Sequence, residues 1–376
     1  MIRELAARGF AQHLVAGVPC DAELPALEGL PPGAFSPVVF GTGRLPFPVV
    51  GMSDVMPYRS TRWGELDRVM LESYVAAFAE VLGPVIEGFQ PEVIHSHHLW
   101  LMTALVRVLY PHHRLVASCH STDLRQLRAQ PQFAPYLLPA LKCLDGVYAL
   151  TDEQQNGIEA QLGLPRHRIH VVGAGYRSDI FAPGADQRVS NRVAYAGKLS
   201  RAKGLPWLLQ AAAPLLSDGR MELELAGSGS GQEAEEIEAA ARRPGVRLLG
   251  RLEQPELAAR LRQSAVFVLP SFYEGLPLVL IEALACGCRV VSTRLPGVES
   301  WLSPDLFQSG WVELVDLPPL EGVDEPAPAE LPAFMGRLQS ALERVLRPGE
   351  RDPAPLERAL RANSWGSVVD RIQAQY

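Results

Sequence analysis

The chain has 376 residues, of which 47% are hydrophobic and 20% charged, and its formal net charge is -7. This length fits two domains better than one, and the negative charge disfavours a protein whose main partner is nucleic acid. The five cysteines are an odd number scattered along the chain, which disfavours a disulfide framework and favours a reducing, cytoplasmic compartment. The first ten residues lack the pattern of a signal peptide, and no run reaches the roughly 18 uninterrupted apolar residues of a spanning helix. We therefore expect neither a secretory leader nor a membrane span.

In the first half of the chain, short apolar runs alternate with longer amphipathic stretches, the pattern of parallel strands covered by helices. The pattern predicts strands at 11–18, 91–98, 113–120, 145–151 and 169–176, and helices around 64–88 and 99–110. Residues 2–8 read as a helix that precedes the first of these strands. A doubly wound domain ordinarily opens on a strand and a glycine-rich turn, so the first strand of this domain is missing from the pattern.

The second half repeats the alternation and predicts a second sheet of the same kind. The predicted strands are 191–197, 221–227, 246–250, 265–271 and 289–293, and the predicted helices are 204–217, 232–243, 256–265 and 276–287. Residues 309–336 are rich in proline and acidic residues and read as a surface loop. We therefore predict an α/β protein of two Rossmann-like domains facing across a cleft, 1–183 and 184–358, followed by an amphipathic helical segment, 359–376.

The most informative segment is 271–287, SFYEGLPLVLIEALACG, in which a loop follows a strand and turns into a helix. Free backbone N–H groups at a helix start suit a phosphate or diphosphate, and Gly275 removes the Cβ that would block its approach. Glu282, two turns into the helix, could accept hydrogen bonds from a polyol such as a ribose. Glu274, in the loop, could contact hydroxyls of a second polyol beyond the phosphates. The alternative is a capped helix with a solvated glutamate.

Two further turns of the second half follow predicted strands. One carries Lys198, Arg201 and Lys203, whose charges could stabilise a diphosphate leaving group, although a solvated basic loop has the same composition. The other, at 227–230, reads GSGS and is typical of nucleotide-contacting turns. It does not match the dinucleotide fingerprint, so its signal is weak.

Histidines cluster after two strands of the first half. His95, His97 and His98 end one strand, and His120 follows another, just before Ser121, Thr122 and Asp123. A metal site is disfavoured, because adjacent strand residues point to opposite faces and no carboxylate has ligand spacing. We predict instead that His120 hydrogen-bonds a substrate.

Four segments in this order, 196–205, 223–231, 246–252 and 270–300, together resemble the donor half of glycosyltransferase family 4. The resemblance extends from about residue 90 to the end of the sequence and is strongest at 193–300. It implies the GT-B architecture, in which the final helix packs back on the amino-terminal domain.

The resemblance also implies roles for individual residues, beginning with the family's Glu-x7-Glu pair, here Glu274 and Glu282. It implies that Glu282 binds the ribose and that Glu274 contacts the donor sugar. It places the sugar or its nearer phosphate at Gly275, Leu276 and Pro277. The remaining implied positions are Lys198 and Lys203 at the diphosphate, Gly197 and Gly227 in the donor site, and His120 near the transferred sugar. Gly250, Leu252 and Gln254 correspond to the family's base-contacting loop. Lys198 replaces the family's usual arginine, which keeps the charge but loses the planar fork of the guanidinium.

Family 4 enzymes retain anomeric configuration and need no metal, so the resemblance implies a front-face hexosyl transfer with no cofactor. The expected partners are a nucleotide-sugar donor and a glycan, lipid-linked or small-molecule acceptor, and no nucleic acid. Arg107, Arg114, Arg125 and Arg128 suggest a peripheral membrane contact, although scattered arginines are more often a solvated face.

Four other functions compete with this interpretation. A nucleotide-dependent oxidoreductase would need the Rossmann fingerprint after its first strand, and a phosphorylase would need a lysine for pyridoxal phosphate. An epimerase would share the GT-B fold. A binding protein that has lost turnover would keep the fold, and Lys203, Glu274 and Glu282 argue against it.

Overall fold

The computed structural model describes residues 1–24, 26–53, 56, 58–120 and 122–376, which divide into two compact units. Unit 1 comprises Met1–Val172 and Val369–Tyr376, and unit 2 comprises Gly173–Val368. The division comes earlier than the predicted 183/184 boundary, because Tyr176 and Phe181 are buried in the core of unit 2. Of the predicted segment 359–376, only Val369–Tyr376 belongs to unit 1.

Unit 1 is built on two parallel sheets. Its strands are β1 (Leu14–Pro19), β2 (Phe35–Phe40), β3 (Val93–His97), β4 (Arg114–Ser118), β5 (Gly146–Ala149) and β6 (Ile169–Val171). The first two pair with each other in the register Leu14↔Phe35, and the other four form a sheet in the order β3-β4-β5-β6. The parallel strands of the first half are thus confirmed, whereas β2 was not predicted.

The helices of unit 1 cover these sheets. They are α1 (Ile2–Ala7), α2 (Arg68–Phe89), α3 (Leu101–Leu109), α4 (Asp123–Ala129), α5 (Ala134–Leu141) and α6 (Asp152–Leu162). By length and composition alone α2 could cross a membrane, but core helices of soluble proteins pass the same test. Its side chains Tyr74, Phe78 and Leu82 are buried in the core of the unit.

Unit 2 has a single six-stranded parallel sheet in the order β12-β11-β10-β7-β8-β9. Its strands are β7 (Val189–Ala196), β8 (Glu222–Ala226), β9 (Val246–Gly250), β10 (Ser264–Leu269), β11 (Arg289–Thr293) and β12 (Val312–Val315). Every residue of β10 is buried, as expected of a central strand covered on both faces. The interpretation of 309–336 as a surface loop is wrong in part, because β12 lies within it and pairs with β11.

The helices of unit 2 follow its strands, and the last helix passes from unit 2 into unit 1. They are α7 (Leu205–Ser217), α8 (Gly231–Ala241), α9 (Gln254–Gln263), α10 (Leu278–Ala285), α11 (Val298–Leu302), α12 (Pro304–Gln308), α13 (Leu331–Leu346), α14 (Ala354–Ala362) and α15 (Trp365–Gln373). Since all strands are parallel, their carboxyl ends lie at one edge of the sheet, where ligands of such folds bind.

Candidate active site

The ends of β7, β8 and β9 are joined through glycines. The N–H of Gly197 donates to the carbonyl of Ala226 at 3.0 Å, and the N–H of Gly227 donates to the carbonyl of Gly250 at 2.7 Å. A Cβ on Gly227 would lie 1.8 Å from the carbonyl oxygen of Gly197, and the φ of Gly227 is +139°. Only glycine allows this approach, so three of the predicted donor-site glycines form one backbone cluster.

This close approach gives a stability prediction for Gly227→Ala. The new methyl group must push the Gly197 turn away, and the strained φ adds a cost of roughly 1–3 kcal/mol. Gly250→Ala is the matched control, because its φ is also positive, at +69°, but no atom of the described residues lies within 4 Å of the added Cβ. Thermal unfolding should show a larger fall in melting temperature for Gly227→Ala. An equal or smaller fall would contradict the close approach.

The loop after β7 is held against the loop after β10. The N–H of Phe272 donates to the carbonyl of Ala202 at 2.9 Å. A Cβ on Gly204, whose φ is +73°, would lie 2.0 Å from the carbonyl oxygen of Pro270. The two segments that carry the predicted cations and carboxylates are therefore adjacent.

Lys203 and Glu274 meet where these loops touch. The Nζ of Lys203 lies 2.7 Å from Oε1 of Glu274, which also accepts a hydrogen bond from the hydroxyl of Ser271 at 2.8 Å. The side chains retain 25% and 18% of their exposure, so the ion pair is partly buried and yet open to a ligand. A cation and a carboxylate are thus fixed side by side at the carboxyl edge of the sheet.

The backbone before α10 presents free donors. Gly275, Leu276 and Pro277 are the last residues before the helix, which has no side-chain cap. Among the described residues, no acceptor faces the N–H of Gly275 or Leu276. Unpaired donors beside the positive end of the helix dipole form a favourable place for an anion.

Glu282 projects from the same helix and is half-buried. Burial raises the pKa of its carboxyl group to about 7. No hydrogen bond or ion pair joins this carboxyl to another side chain within the part of the chain that the structure describes. A half-buried carboxyl without a partner is costly, and a hydroxyl-bearing ligand would supply the missing donors.

The remaining predicted donor-site residues are less constrained. The side chain of Lys198 is exposed, and its carbonyl accepts a hydrogen bond from the hydroxyl of Tyr195 at 2.8 Å. Leu252 is half-buried and Gln254 is exposed at the first position of α9. No described contact joins Leu252 or Gln254 to Lys203, Glu274 or Glu282.

In unit 1, Asp123 organises the histidines. Its buried carboxylate lies 2.7 Å from Nδ1 of His98 and accepts the N–H groups of Leu99 at 2.8 Å and His120 at 2.9 Å. The sequence analysis named Asp123 but predicted no role for it. Its position three residues after His120 was the feature of the sequence that could have indicated one. Ser121, between them, lies outside the described residues.

The expectation that His97 and His98 point to opposite faces of a strand is wrong. Strand β3 ends at His97, and His98 has a φ of +71°, outside the strand conformation. Both therefore reach His120: Nδ1 of His97 lies 3.1 Å from its Nε2, and the rings of His98 and His120 are 4.5 Å apart.

Burial sets the charge of this histidine group. It lowers the pKa of His95 to about 3 and of His97 to about 4, and it also lowers the pKa of His120. These imidazoles are therefore neutral near pH 7 and act there as hydrogen-bonding groups. Over the described residues, no three His, Cys, Asp or Glu side chains are grouped so that they could hold a metal ion.

The arginines proposed for membrane contact do not form one exposed face. Arg107 is buried, lies 2.6 Å from Asp145 and donates to the carbonyl of Pro111. Arg114 donates to the carbonyl of Gln375 at 2.8 Å. Arg107 must therefore be removed from that prediction, because its charge is satisfied inside unit 1.

Two family models match this chain. Residues 1–175 match "Glycosyl transferase 4-like domain", and residues 190–313 match "Glycosyl transferases group 1". The second match contains the Lys203–Glu274 pair and Glu282.

Curated relatives and solved structures agree with these matches. A D-inositol 3-phosphate glycosyltransferase 1 of Catenulispora acidiphila is 28% identical over 89% of this chain and 83% of its own length. An alpha-maltose-1-phosphate synthase of Mycolicibacterium smegmatis is 28% identical over 76% of this chain and 78% of its own length. A sucrose-phosphate synthase structure from Thermosynechococcus elongatus superimposes with a TM-score of 0.65 at 17% identity, over 100% of this chain and 90% of that one. The chain therefore belongs to the glycosyltransferases that combine a 4-like domain with a group 1 domain, enzymes with the GT-B fold that use nucleotide-sugar donors.

Proposed function

We propose that this enzyme transfers a hexosyl unit from a nucleotide-diphosphate sugar to a hydroxyl acceptor, with retention of anomeric configuration and without a metal ion. The observation that carries the proposal is the Lys203–Glu274 ion pair, at 2.7 Å, in the same domain as the unpaired carboxyl of Glu282. These groups match the three parts of a nucleotide sugar. The cation of Lys203 matches the diphosphate, the free backbone N–H groups match the sugar, and the unpaired carboxyl of Glu282 matches the ribose.

Each part of the donor has a proposed partner. Glu282 accepts hydrogen bonds from the ribose hydroxyls, which supply the donors that its carboxyl lacks. The N–H groups of Gly275 and Leu276, before Pro277, bind the sugar or its nearer phosphate. Gly197 and Gly227 allow the backbone to approach the nucleotide, and the base lies at the turn formed by Gly250, Leu252 and Gln254.

Lys198 and Lys203 stabilise the leaving diphosphate. In a front-face transfer, the bond between the anomeric carbon and the phosphate oxygen breaks, and the bond to the acceptor oxygen forms on the same face. The acceptor proton passes to an oxygen of the departing diphosphate. Two lysines beside that diphosphate stabilise the charge that develops on it, a contribution that a metal ion makes in other enzymes. Glu274 orients Lys203 and contacts the sugar.

We propose that His120, neutral near pH 7, hydrogen-bonds the transferred sugar. The acceptor proposed here is a small sugar or polyol. The names of two relatives support this choice, since one is a glycosyltransferase of an inositol phosphate and the other a synthase whose product is a maltose phosphate. Glycan and lipid-linked acceptors are the other classes to be compared with it.

The donor is identified by thermal unfolding of the purified chain with UDP, GDP, ADP and CDP in the presence of EDTA. We expect one nucleoside diphosphate to raise the melting temperature, and Glu282→Ala to remove that effect. The matching nucleotide sugar is then incubated with inositol, inositol phosphate, glucose and glucose phosphate, and NMR determines the anomeric configuration of the product. An inverted product or loss of activity in EDTA would contradict the mechanism, and failure to bind any nucleoside diphosphate would contradict the site.

A further inference from the structure

Unit 2 contains a cavity that the proposed function does not use. Its volume is about 330 Å³. The residues that line it are Arg188, Ala265, Gly287, Arg289, Trp311, Pro348, Gly349 and Arg351. Because all of them belong to unit 2, this cavity is a feature of the group 1 domain itself.

The cavity lies at the edge of the sheet opposite the candidate donor site. Arg188 directly precedes β7, Arg289 begins β11, and Trp311 directly precedes β12. The donor-site loops follow the carboxyl ends of β7 and β10 instead. Since the strands are parallel, a ligand in this cavity would be separated from the donor by the length of the strands.

Three arginines line the cavity: Arg188, Arg289 and Arg351. Among the described residues, no carboxylate lies within ion-pair distance of any of them. Burial lowers the pKa of Arg289, and the charges of Arg351 and Arg188 lower it further. Elsewhere in the same sheet, arginines gather around a carboxylate: Arg247 and Arg192 lie 3.3 and 3.6 Å from Glu224.

Backbone carbonyls hold these three guanidinium groups in place. Arg188 donates to the carbonyls of Gly287 and, at 2.8 Å, Cys286. Arg289 donates to the carbonyl of Arg347 at 2.8 Å, and Arg351 donates to the carbonyl of Gly310 at 2.7 Å. The positive charges are therefore oriented by neutral acceptors, which leaves their excess charge for an anion.

Trp311 adds an aromatic wall whose position is also fixed. Its Nε1 donates to the carbonyl of Asp352 at 2.9 Å. An indole ring beside guanidinium groups suits a ligand that has both an anionic end and a less polar body.

We propose that this cavity binds a small phosphate monoester, with the phosphate between Arg188, Arg289 and Arg351 and the organic part against Trp311. Guanidinium forks match the geometry of phosphate oxygens, and three of them neutralise a dianion. The volume admits a ligand of the size of a sugar phosphate. This site is independent of the donor site and of the reaction proposed above.

The test is isothermal titration of the full chain carrying Lys198→Gln and Lys203→Gln, in which the donor-site cations are absent. The probes are inorganic phosphate, glucose 6-phosphate and glucose. We expect glucose 6-phosphate to bind, inorganic phosphate to bind more weakly, and glucose not to bind. Arg289→Gln and Arg351→Gln should each weaken binding of glucose 6-phosphate by about tenfold or more, the effect of losing a charged hydrogen bond.

The matched control is Arg242→Gln, which removes the same charge from an exposed position of unit 2 outside the cavity. Arg351→Lys keeps the charge but not the fork and should show an intermediate loss, and melting temperatures confirm that each variant is folded. Should Arg289→Gln not fold, Arg351→Lys and Arg188→Gln provide the comparison. Absence of binding to the chain with intact arginines, or binding that Arg351→Gln and Arg188→Gln leave unchanged, would overturn the proposal. Phosphatidate vesicles are a fourth probe, and binding of these vesicles equal to that of glucose 6-phosphate would overturn the choice of a small soluble ester.

Discussion

Replacing Glu282 with glutamine should weaken binding of the cognate nucleoside diphosphate by about tenfold or more, the effect of losing charged hydrogen bonds. Glutamine has nearly the same shape, but its terminal NH2 group donates hydrogen bonds. It therefore cannot accept a hydrogen bond from a ribose hydroxyl, as a carboxylate oxygen does. The measurement is isothermal titration with the nucleoside diphosphate found in the thermal screen. Glu235→Gln, at an exposed position of α8, is the control for removal of one negative charge and should bind normally.

The same substitution should change the pH dependence of binding. The pKa of Glu282 is about 7 in the free protein, so the carboxyl is partly protonated at neutral pH. Hydroxyls that donate to the carboxylate favour its charged form, so donor binding should release a proton and strengthen as pH rises from 6 to 8. Titrations in buffers of different ionisation enthalpy measure that proton. Affinity in Glu282→Gln should not follow this trend, and an identical pH profile in both proteins would contradict the contact with the ribose.

The pKa of Glu282 also bears on stability. Since the pKa in the folded protein is raised from 4.5 to about 7, the folded state binds more protons than the unfolded state between these values. The free energy of unfolding therefore falls as pH rises through this window. Glu282→Gln removes this pH-dependent fall in the free energy of unfolding. Above pH 7 the variant should therefore melt at a higher temperature than the unmodified enzyme, and near pH 4.5 the difference should be smaller.

Lys203→Ala should lower kcat by roughly a hundred- to a thousandfold, the range found when one group that stabilises developing charge is removed. The affinity for the donor should fall much less, because the leaving diphosphate gains negative charge only as the sugar departs. The measurement compares kcat for the nucleotide sugar with the Kd of the nucleoside diphosphate. A loss confined to Kd would contradict the assignment to the leaving group.

Two controls separate the effect of the lost charge on kcat from an effect on folding stability. Arg201 lies in the same turn but pairs with Glu233 and Glu236 at the surface, so Arg201→Ala should leave kcat within about twofold, as exposed ion pairs contribute little.

Removal of Lys203 leaves Glu274 partly buried without its cation, and melting temperatures will show this cost in stability. The double variant Lys203→Ala with Glu274→Gln removes both charges. It should recover stability while kcat stays low.

Most of the fold could be predicted from hydrophobic patterning, and the exceptions have physical causes. Short runs rich in apolar residues mark most strands of both main sheets, and the predicted strands 246–250 and 289–293 coincide with β9 and β11. Strand β2 was missed because Phe35–Phe40 contains Pro37, which normally argues against a strand. Strand β12 was missed because it is short and lies in acidic, proline-rich sequence.

The residues of the candidate site could be proposed from the sequence, but their contacts could not. The loop and helix of 271–287, the basic turn and the family resemblance led to Glu274, Glu282 and Lys203. The direct pairing of Lys203 with Glu274 depends on how closely Gly204 approaches Pro270, a long-range contact that no local pattern encodes. The role of Asp123 was not predicted for a related reason. Its partners include His98 and Leu99, which lie in the loop after β3, distant in sequence.

The division of the chain between its two units has a consequence for how the protein is made. Unit 2 is continuous in sequence, so it can fold on the ribosome as soon as Gly173–Val368 has emerged. Unit 1 still lacks Val369–Tyr376 at that moment. This segment supplies the hydroxyl of Tyr376, which lies 2.7 Å from Nδ1 of His95, and the guanidinium of Arg371, which donates to the carbonyl of Val172. The domain that is synthesised first is therefore completed last, when the final helix brings the hydroxyl of Tyr376 to His95.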